Sequence, residues 1–114
     1  MKRILVVEDD LVTRKIITTV LSNRYEVVEA ENGKDALSKT EGVHLILCDY
    51  YMPEMTGLQF LDEIVDKGIP SIMLTSEKDV EKKQEGKKIG VVSWITKPFV
   101  PDFILGQVKA VLKE

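Results

Sequence analysis

Five short apolar runs divide this chain of 114 residues, and side chains that could do chemistry directly follow four of them. The runs lie at residues 4–7, 27–28, 45–48, 72–74 and 91–95. The polar side chains after the first, third, fourth and fifth runs are Glu8, Asp9, Asp49, Thr75 and Lys97. If the runs are parallel strands, these residues meet at the carboxyl edge of one sheet, where open α/β folds bind ligands. The sequence therefore predicts one polar site at that edge.

The residue types in this set suit a divalent cation and a phosphoryl group. Like charges about 4 Å apart repel by roughly 4 kcal/mol at an effective dielectric of about 20, so Glu8, Asp9 and Asp49 together need a cation. Oxygen-only ligands favour Mg²⁺, which usually keeps several waters and accepts a phosphate oxygen. Asp49 is the best candidate nucleophile, since a carboxylate can attack phosphorus to give an aspartyl phosphate. Lys97 would then offset charge on the phosphoryl oxygens, and Thr75 would donate its hydroxyl proton to the same group.

Segments with helical spacing lie between the runs, and this alternation predicts a parallel sheet flanked by helices. The first helix, over residues 11–23, is predicted to carry one apolar face made of Val12, Ile16, Ile17, Val20 and Leu21. Its opposite face is predicted to carry Arg14, Lys15 and Thr18, which could contact a kinase. Asp10 is well placed to cap this helix.

The remaining helices are predicted from the same kind of spacing. A short helix should follow Asn32-Gly33, and a third should span residues 58–66. The apolar positions of the third are Leu58, Leu61, Ile64 and Val65, and those of the last helix, which begins near Pro101, are Phe103, Ile104, Val108, Val111 and Leu112.

Residues 79–90 should form the least stable helix, because they contain few apolar residues and an interior glycine, Gly86, that costs about 1 kcal/mol relative to alanine. Two interpretations are open for it: a merely solvated helix, or a loosely held element that a switch would move.

Composition limits the function classes. The 16 basic and 19 acidic residues give a net charge of −3, and without a long basic run we expect no direct nucleic-acid partner. No apolar stretch approaches the roughly 20 residues that span a bilayer, so no membrane segment is expected. Cys48 lies inside an apolar run, which predicts a buried, inert thiol and a cytoplasmic protein.

Four stretches together resemble the receiver domain of two-component response regulators. They are Ile-Leu-Val-Val-Glu-Asp-Asp at 4–10, Leu-Cys-Asp-Tyr-Tyr-Met-Pro-Glu-Met-Thr-Gly at 47–57, Met-Leu-Thr-Ser at 73–76 and Thr-Lys-Pro-Phe at 96–99. The resemblance covers residues 1–114 as one receiver domain. It implies a doubly wound, CheY-like α/β fold, with one five-stranded parallel sheet in the order 2-1-3-4-5 and helices on both faces. It also implies a signalling phosphoacceptor rather than an enzyme.

The same resemblance assigns roles around Asp49. It implies that Asp49 accepts phosphate from a histidine kinase or a histidine phosphotransfer protein. Asp9 and Asp49 would bind Mg²⁺ directly, Glu8 would help through water, and the backbone carbonyl of Tyr51 would complete the protein ligands.

The phosphoryl group would contact Thr75 and Lys97, with support from the backbone of Ser76. The Lys97-Pro98 bond is expected to be cis, which would place the lysine over the site.

Two positions depart from the family pattern. Trp94 stands where the family most often has tyrosine or phenylalanine, so it is either a switch residue or a plain core or interface tryptophan; we predict that its environment changes on phosphorylation. Tyr51 is bulky and is predicted to hinder water that attacks the phosphoryl group, which Glu77 could also influence.

The readout surface is expected to combine the fourth helix, the Trp94 strand and the last helix, and to bind a downstream protein or an output domain. Lys82, Lys83, Lys87 and Lys88 give it a basic character, either as a solvated face or as a site for an acidic partner. The resemblance is compatible with a monomer or a phosphorylation-dependent dimer. His44, the one histidine, is expected to be structural or exposed rather than catalytic.

Three other function classes compete with a phosphoacceptor. A haloacid dehalogenase-type phosphatase needs a second acid two residues after the nucleophile, where this chain has Tyr51. A nucleotide-binding protein needs a glycine-rich phosphate loop, which the sequence lacks. An interaction module that has lost phosphorylation stays open, although the intact acids, Thr75 and Lys97 argue against it.

Overall fold

Strands and helices alternate along the chain in the computed structural model, which describes residues 1–76 and 80–114, apart from the side chain of Val80. The strands are β1 Arg3–Val7, β2 Glu26–Ala30, β3 Leu45–Asp49, β4 Ser71–Thr75 and β5 Val91–Thr96. The helices are α1 Leu11–Leu21, α2 Gly33–Leu37, α3 Gly57–Glu63, α4 Val80–Lys88 and α5 Pro101–Leu112, with a 3₁₀ turn at Val65–Lys67. The strands are parallel and lie in the order β2-β1-β3-β4-β5, which confirms the predicted fold.

Both faces of the sheet are covered, and this explains why the strand sequences are almost continuously apolar. Successive strand residues point to opposite faces. On one face Ile4 and Leu47 pack with residues of α1 and α5, and on the other Leu5 and Ile46 pack with residues of α2 and α3. Cys48 lies in the second core with no exposed area, and burial raises the pKa of its thiol well above the usual value. The prediction of a buried thiol is confirmed.

The prediction of which α1 residues are buried is partly wrong. Ile17 and Leu21 are fully buried, but Val12 is 69% exposed and Ile16 is 43% exposed. The sheet and α5 cover a stripe narrower than the apolar face of the helix. Part of that face therefore forms an exposed apolar surface.

The opposite face of α1 is also less exposed than predicted. Only Lys15 projects into solvent, while Arg14 and Thr18 are half-buried. Arg14 turns toward the sheet, where its Nε donates to Glu29 Oε1 over 2.9 Å. Arg14 is therefore not the outward-facing residue that the helical pattern predicts.

Two more apolar residues are exposed against expectation. Phe103 in α5 is 52% exposed, because it lies one position, about 100° of helix rotation, before the buried Ile104. Val65 is 41% exposed and lies in the 3₁₀ turn, since α3 ends at Glu63 and not at residue 66. The pattern also missed Phe60, which is fully buried.

Helix α4 lies directly against the Trp94 ring. Gly86 is buried, and a Cβ built on it would come within 2.8 Å of Trp94 Cζ2 and 3.1 Å of Val91 Cβ. The glycine that weakens the helix therefore permits this close approach. Asp79, the predicted first residue of this segment, lies outside the described residues.

The longest described helix is α5, with 12 residues. Within the part of the chain that the structure describes, none of the helices could cross a bilayer.

Candidate functional site

The five predicted residues do gather at one edge of the sheet. Glu8 directly follows β1, Asp49 and Thr75 are the last residues of β3 and β4, and Lys97 directly follows β5. Because neighbouring parallel strands end side by side, their terminal residues converge. One carboxylate oxygen from each of Glu8, Asp9 and Asp49 lies within 4.8 Å of the other two. The structure therefore brings together the side chains of Glu8, Asp9, Asp49 and Lys97, with Thr75 at the end of the neighbouring strand.

Lys97 provides a positive charge within this cluster. Its Nζ lies 3.1 Å from Glu8 Oε1 and 3.2 Å from Asp49 Oδ1. Its backbone N donates to the carbonyl of Thr75 over 3.0 Å, which joins the chain after β5 to the end of β4. The Lys97-Pro98 peptide bond is cis, as predicted.

Burial makes the acidic cluster electrostatically costly. Glu8 is 1% exposed and Asp49 is 5% exposed, whereas Asp9 is exposed. Burial, followed by the charge of Asp49 and a hydrogen bond with it, raises the pKa of Glu8 to about 7, although Lys97 opposes this rise. Asp49 and Glu8 in turn raise the pKa of Lys97 against the effect of its own burial. Glu8 and Asp49 thus share the Lys97 ammonium group with Asp9 close by, and a further cation would relieve the repulsion among the three carboxylates.

The donor set therefore fits a hard divalent cation. Carboxylate oxygens from Glu8, Asp9 and Asp49 converge without sulfur or imidazole ligands among them. Such an oxygen-only set is typical of Mg²⁺ and not of zinc.

Asp10 stands outside the site, as predicted. Its Oδ2 accepts hydrogen bonds from Thr13 N over 2.8 Å and from Thr13 Oγ1 over 2.6 Å. These bonds lower the pKa of Asp10 and cap α1.

Arg14 has a role at the site that was not predicted from the sequence. Its Nη1 donates to the carbonyl of Glu8 over 2.7 Å, while Nε binds the Glu29 carboxylate. Arg14 thereby fixes the turn that carries Glu8 and Asp9. The sequence signal for this role was Glu29, a charged residue inside the second strand. A half-buried carboxylate needs a partner, which Arg14 provides.

Gly57 permits close packing behind Asp49. A Cβ at this position would lie 2.5 Å from the Asp49 carbonyl oxygen, and the Gly57 N donates to Tyr50 O over 2.8 Å. Any larger residue would displace the backbone that carries Asp49.

The other predicted residues differ in how exposed they are. Tyr51 is 48% exposed, Ser76 is exposed at the end of β4, and Trp94 is half-buried on β5. Glu77 lies outside the described residues. His44 is exposed, and its Nδ1 accepts from the backbone N of Arg3 over 3.0 Å, which agrees with a structural role.

One contact beside the site was not predicted. Lys82 Nζ donates to the Tyr51 hydroxyl over 3.1 Å. Lys82 is thus not simply part of a solvated lysine face, unlike its exposed neighbour Lys83.

Comparisons with known proteins agree with this geometry. A family model described as the response regulator receiver domain matches residues 4–109. The phosphate regulon transcriptional regulatory protein PhoB of Klebsiella pneumoniae is 36% identical over 119 residues, covering 98% of this chain and 52% of that protein. The chain spans about half the length of the curated relatives it matches.

Solved structures show the same fold. The chemotaxis protein CheY4 of Vibrio cholerae has a TM-score of 0.91 and 36% identity, covering 97% of this chain and 98% of that chain. DrrB, an OmpR/PhoB homologue of Thermotoga maritima, has a TM-score of 0.90 and 30% identity, covering 99% of this chain and 53% of that chain.

Proposed function

The chain belongs to the response regulator receiver domain family, and we propose that it switches partner binding when Asp49 accepts a phosphoryl group. The observation that supports this most is the convergence of Glu8, Asp9 and Asp49 within 4.8 Å, with Lys97 Nζ 3.2 Å from Asp49. The domain is then a signalling phosphoacceptor and not a turnover enzyme.

Asp49 would act as the nucleophile. One of its carboxylate oxygens forms a bond to phosphorus as the P–N bond of a donor phosphohistidine breaks, and the electron pair leaves on the imidazole. Lys97, whose Nζ lies beside the Glu8 and Asp49 carboxylates, would shift to the phosphoryl oxygens.

Glu8, Asp9 and Asp49, with the backbone carbonyl of Tyr51, would hold Mg²⁺. A bound Mg²⁺ would neutralise negative charge on the phosphoryl oxygens. Burial and the nearby charge of Asp49 raise the pKa of Glu8, and a bound cation would offset both effects.

Thr75, Ser76 and Lys97 would sense the phosphoryl group. Moving a two-state equilibrium from about 1:99 to 99:1 takes roughly 5.5 kcal/mol of differential stabilisation. A hydrogen bond to a charged group contributes about 1.5–3 kcal/mol, so several contacts must act together. Trp94 and α4 would carry the change to the surface, where a downstream protein or an output domain binds.

The phosphodonor would dock on the exposed apolar surface of α1. Val12 and Ile16 border a groove of about 1040 Å³ between α1 and α5, and Leu105 and Pro101 line its other side. A histidine kinase or phosphotransfer protein in the cytoplasm is the proposed partner.

Phosphate incorporation tests the proposal. With acetyl phosphate and Mg²⁺, the wild-type protein should gain one phosphoryl group, as measured by intact mass, and Asp49→Asn should gain none. Asp10→Asn is the matched control, because it also removes an acid near the site while asparagine still caps a helix. Incorporation into Asp49→Asn would overturn the assignment, and none into the wild type would favour a module that has lost phosphorylation.

A further inference from the structure

An aromatic and cationic cluster lies beside the proposed phosphorylation site. The Tyr50 and Tyr51 rings meet edge to face, with centroids 4.6 Å apart at 71°. Lys82 Nζ lies 4.7 Å from the Tyr50 centroid and 5.3 Å from the Tyr51 centroid. It also donates to the Tyr51 hydroxyl over 3.1 Å. The ammonium therefore contacts both residues that follow Asp49, the Tyr50 ring and the Tyr51 hydroxyl.

This cluster connects the two segments that flank the site. Tyr50 and Tyr51 follow β3, which ends at Asp49, and Lys82 lies in the first turns of α4, which follows β4 and Thr75. Farther along α4, an open groove of about 340 Å³ runs between this helix and α3, and Leu58 and Glu85 line it among others. The Lys82 contact thus bridges α4 and the β3–α3 loop close to Asp49.

The two tyrosines differ in how strongly the protein fixes them. Tyr50 is 8% exposed and belongs to the core, whereas Tyr51 is 48% exposed. Lys82 links the half-exposed Tyr51 to the buried Tyr50, because its Nζ donates to the Tyr51 hydroxyl and lies 4.7 Å from the Tyr50 ring centroid.

We propose that Lys82 is a positioning residue that holds the Tyr51 ring beside Asp49 and thereby slows hydrolysis of the aspartyl phosphate. This inference rests on the proposed phosphoacceptor function of Asp49. In the absence of this link, Tyr51 samples other rotamers and water reaches the phosphorus more often. Water then attacks phosphorus, the bond to the Asp49 oxygen breaks, and inorganic phosphate leaves.

The size of the effect follows from the strength of the contact. An exposed cation–π interaction contributes about 0.5–1 kcal/mol, which corresponds to a two- to fivefold change in rate. We expect Lys82→Met to shorten the phosphoryl half-life by about two- to fivefold.

The experiment phosphorylates each variant with acetyl phosphate and Mg²⁺, removes the donor, and follows loss of the phosphoryl group by intact mass. Lys82→Arg should keep a half-life near that of the wild type, because a guanidinium also donates and stacks on aromatic rings. Lys83→Met is the matched control, since it removes the same charge from an exposed neighbouring position on α4. Adding Lys82→Met to Tyr51→Asn should cause no further change, because the group that Lys82 positions is then absent.

The outcomes separate this inference from the function on which it rests. If no variant takes up phosphate, the phosphoacceptor function itself fails. If all take up phosphate but Lys82→Met decays at the wild-type rate or more slowly, the positioning role is wrong. An equally shortened phosphoryl half-life in Lys83→Met would also overturn the positioning role, because the net charge of α4 would then be the cause.

Discussion

Helices α1 and α4 both begin at the site edge of the sheet, but they are attached to it very differently. Helix α1 buries Ile17 and Leu21 completely, and Arg14 ties it to Glu29 and to the Glu8 carbonyl. In α4, none of the side chains described over residues 81–88 is fully buried, and its buried position is Gly86. The first helix carries a wide apolar face, whereas the fourth is rich in lysine.

This difference suits the proposed switch. A helix that orients Glu8 and Asp9 has to stay in place, while a helix that reports phosphorylation has to move at low cost. Both helices pack on the same sheet, so the side chains between each helix and the sheet decide which helix can move. The following substitutions test this contrast.

The largest effect is expected in the α1 core. Leu21→Ala should lower the free energy of unfolding by about 2–5 kcal/mol, because it leaves a cavity at a fully buried position. Lys83→Ala on α4 should change it by less than about 0.5 kcal/mol. Urea unfolding followed by circular dichroism measures both. Equal losses of unfolding free energy in the two variants would contradict the contrast between α1 and α4. If Leu21→Ala does not fold, Ile17→Val replaces it, with an expected loss of about 0.5–1.5 kcal/mol.

Two glycine-to-alanine substitutions should change the free energy of unfolding in opposite directions. Gly86→Ala gains about 1 kcal/mol of helix propensity but forces a methyl group against the Trp94 ring, at an overpacking cost of about 1–3 kcal/mol. We expect a net loss of roughly 1 kcal/mol. At Gly106 in α5 no atom lies within 4 Å of an added Cβ, so Gly106→Ala should stabilise the protein by about 0.5–1 kcal/mol.

Thermal unfolding of both glycine variants shows whether each is more or less stable than the wild type. Combining Gly86→Ala with Trp94→Phe should recover part of the loss, since the smaller ring leaves room for the methyl group. Stabilisation by Gly86→Ala alone would show that Trp94 does not hold α4 closely.

The smallest effect concerns pH and the ion pairs of α1. Burial raises the pKa of Glu29, but hydrogen bonds and charges from Lys15 and Arg14 outweigh it and lower the pKa below the usual 4.5. A lowered pKa in the folded state means that these pairs contribute stability above pH 4.5, which is lost as the pH falls through the folded-state value. Glu29→Gln should therefore cost about 0.5–1 kcal/mol at pH 6 and progressively less below pH 4.5.

Urea unfolding between these pH values compares Glu29→Gln with the wild type. Glu85→Gln, which removes the same charge from an exposed position on α4, is the control variant. A pH-independent cost of Glu29→Gln would argue against the ion pairs as the anchor of α1.

The sequence by itself determined the parallel sheet and the gathering of the site, whereas the strand order was implied by the resemblance to receiver domains. Apolar runs separated by helical segments define a parallel sheet, and each run ends at the same edge, so Asp49, Thr75 and Lys97 had to converge. The Asp10 cap was predictable for a similar reason, because it depends on residues three positions apart.

The tertiary structure alone decided which apolar residues are buried and which charged residues find partners. Val12 and Ile16 have the periodicity of core residues, yet they stay exposed because α5 and the sheet cover only part of α1. The Lys82–Tyr51 contact spans 31 positions, and the approach of Gly86 to Trp94 depends on how α4 lies on β5. Local sequence patterns fix what a residue can do within its own element, but contacts between elements depend on the distances and orientations set by packing.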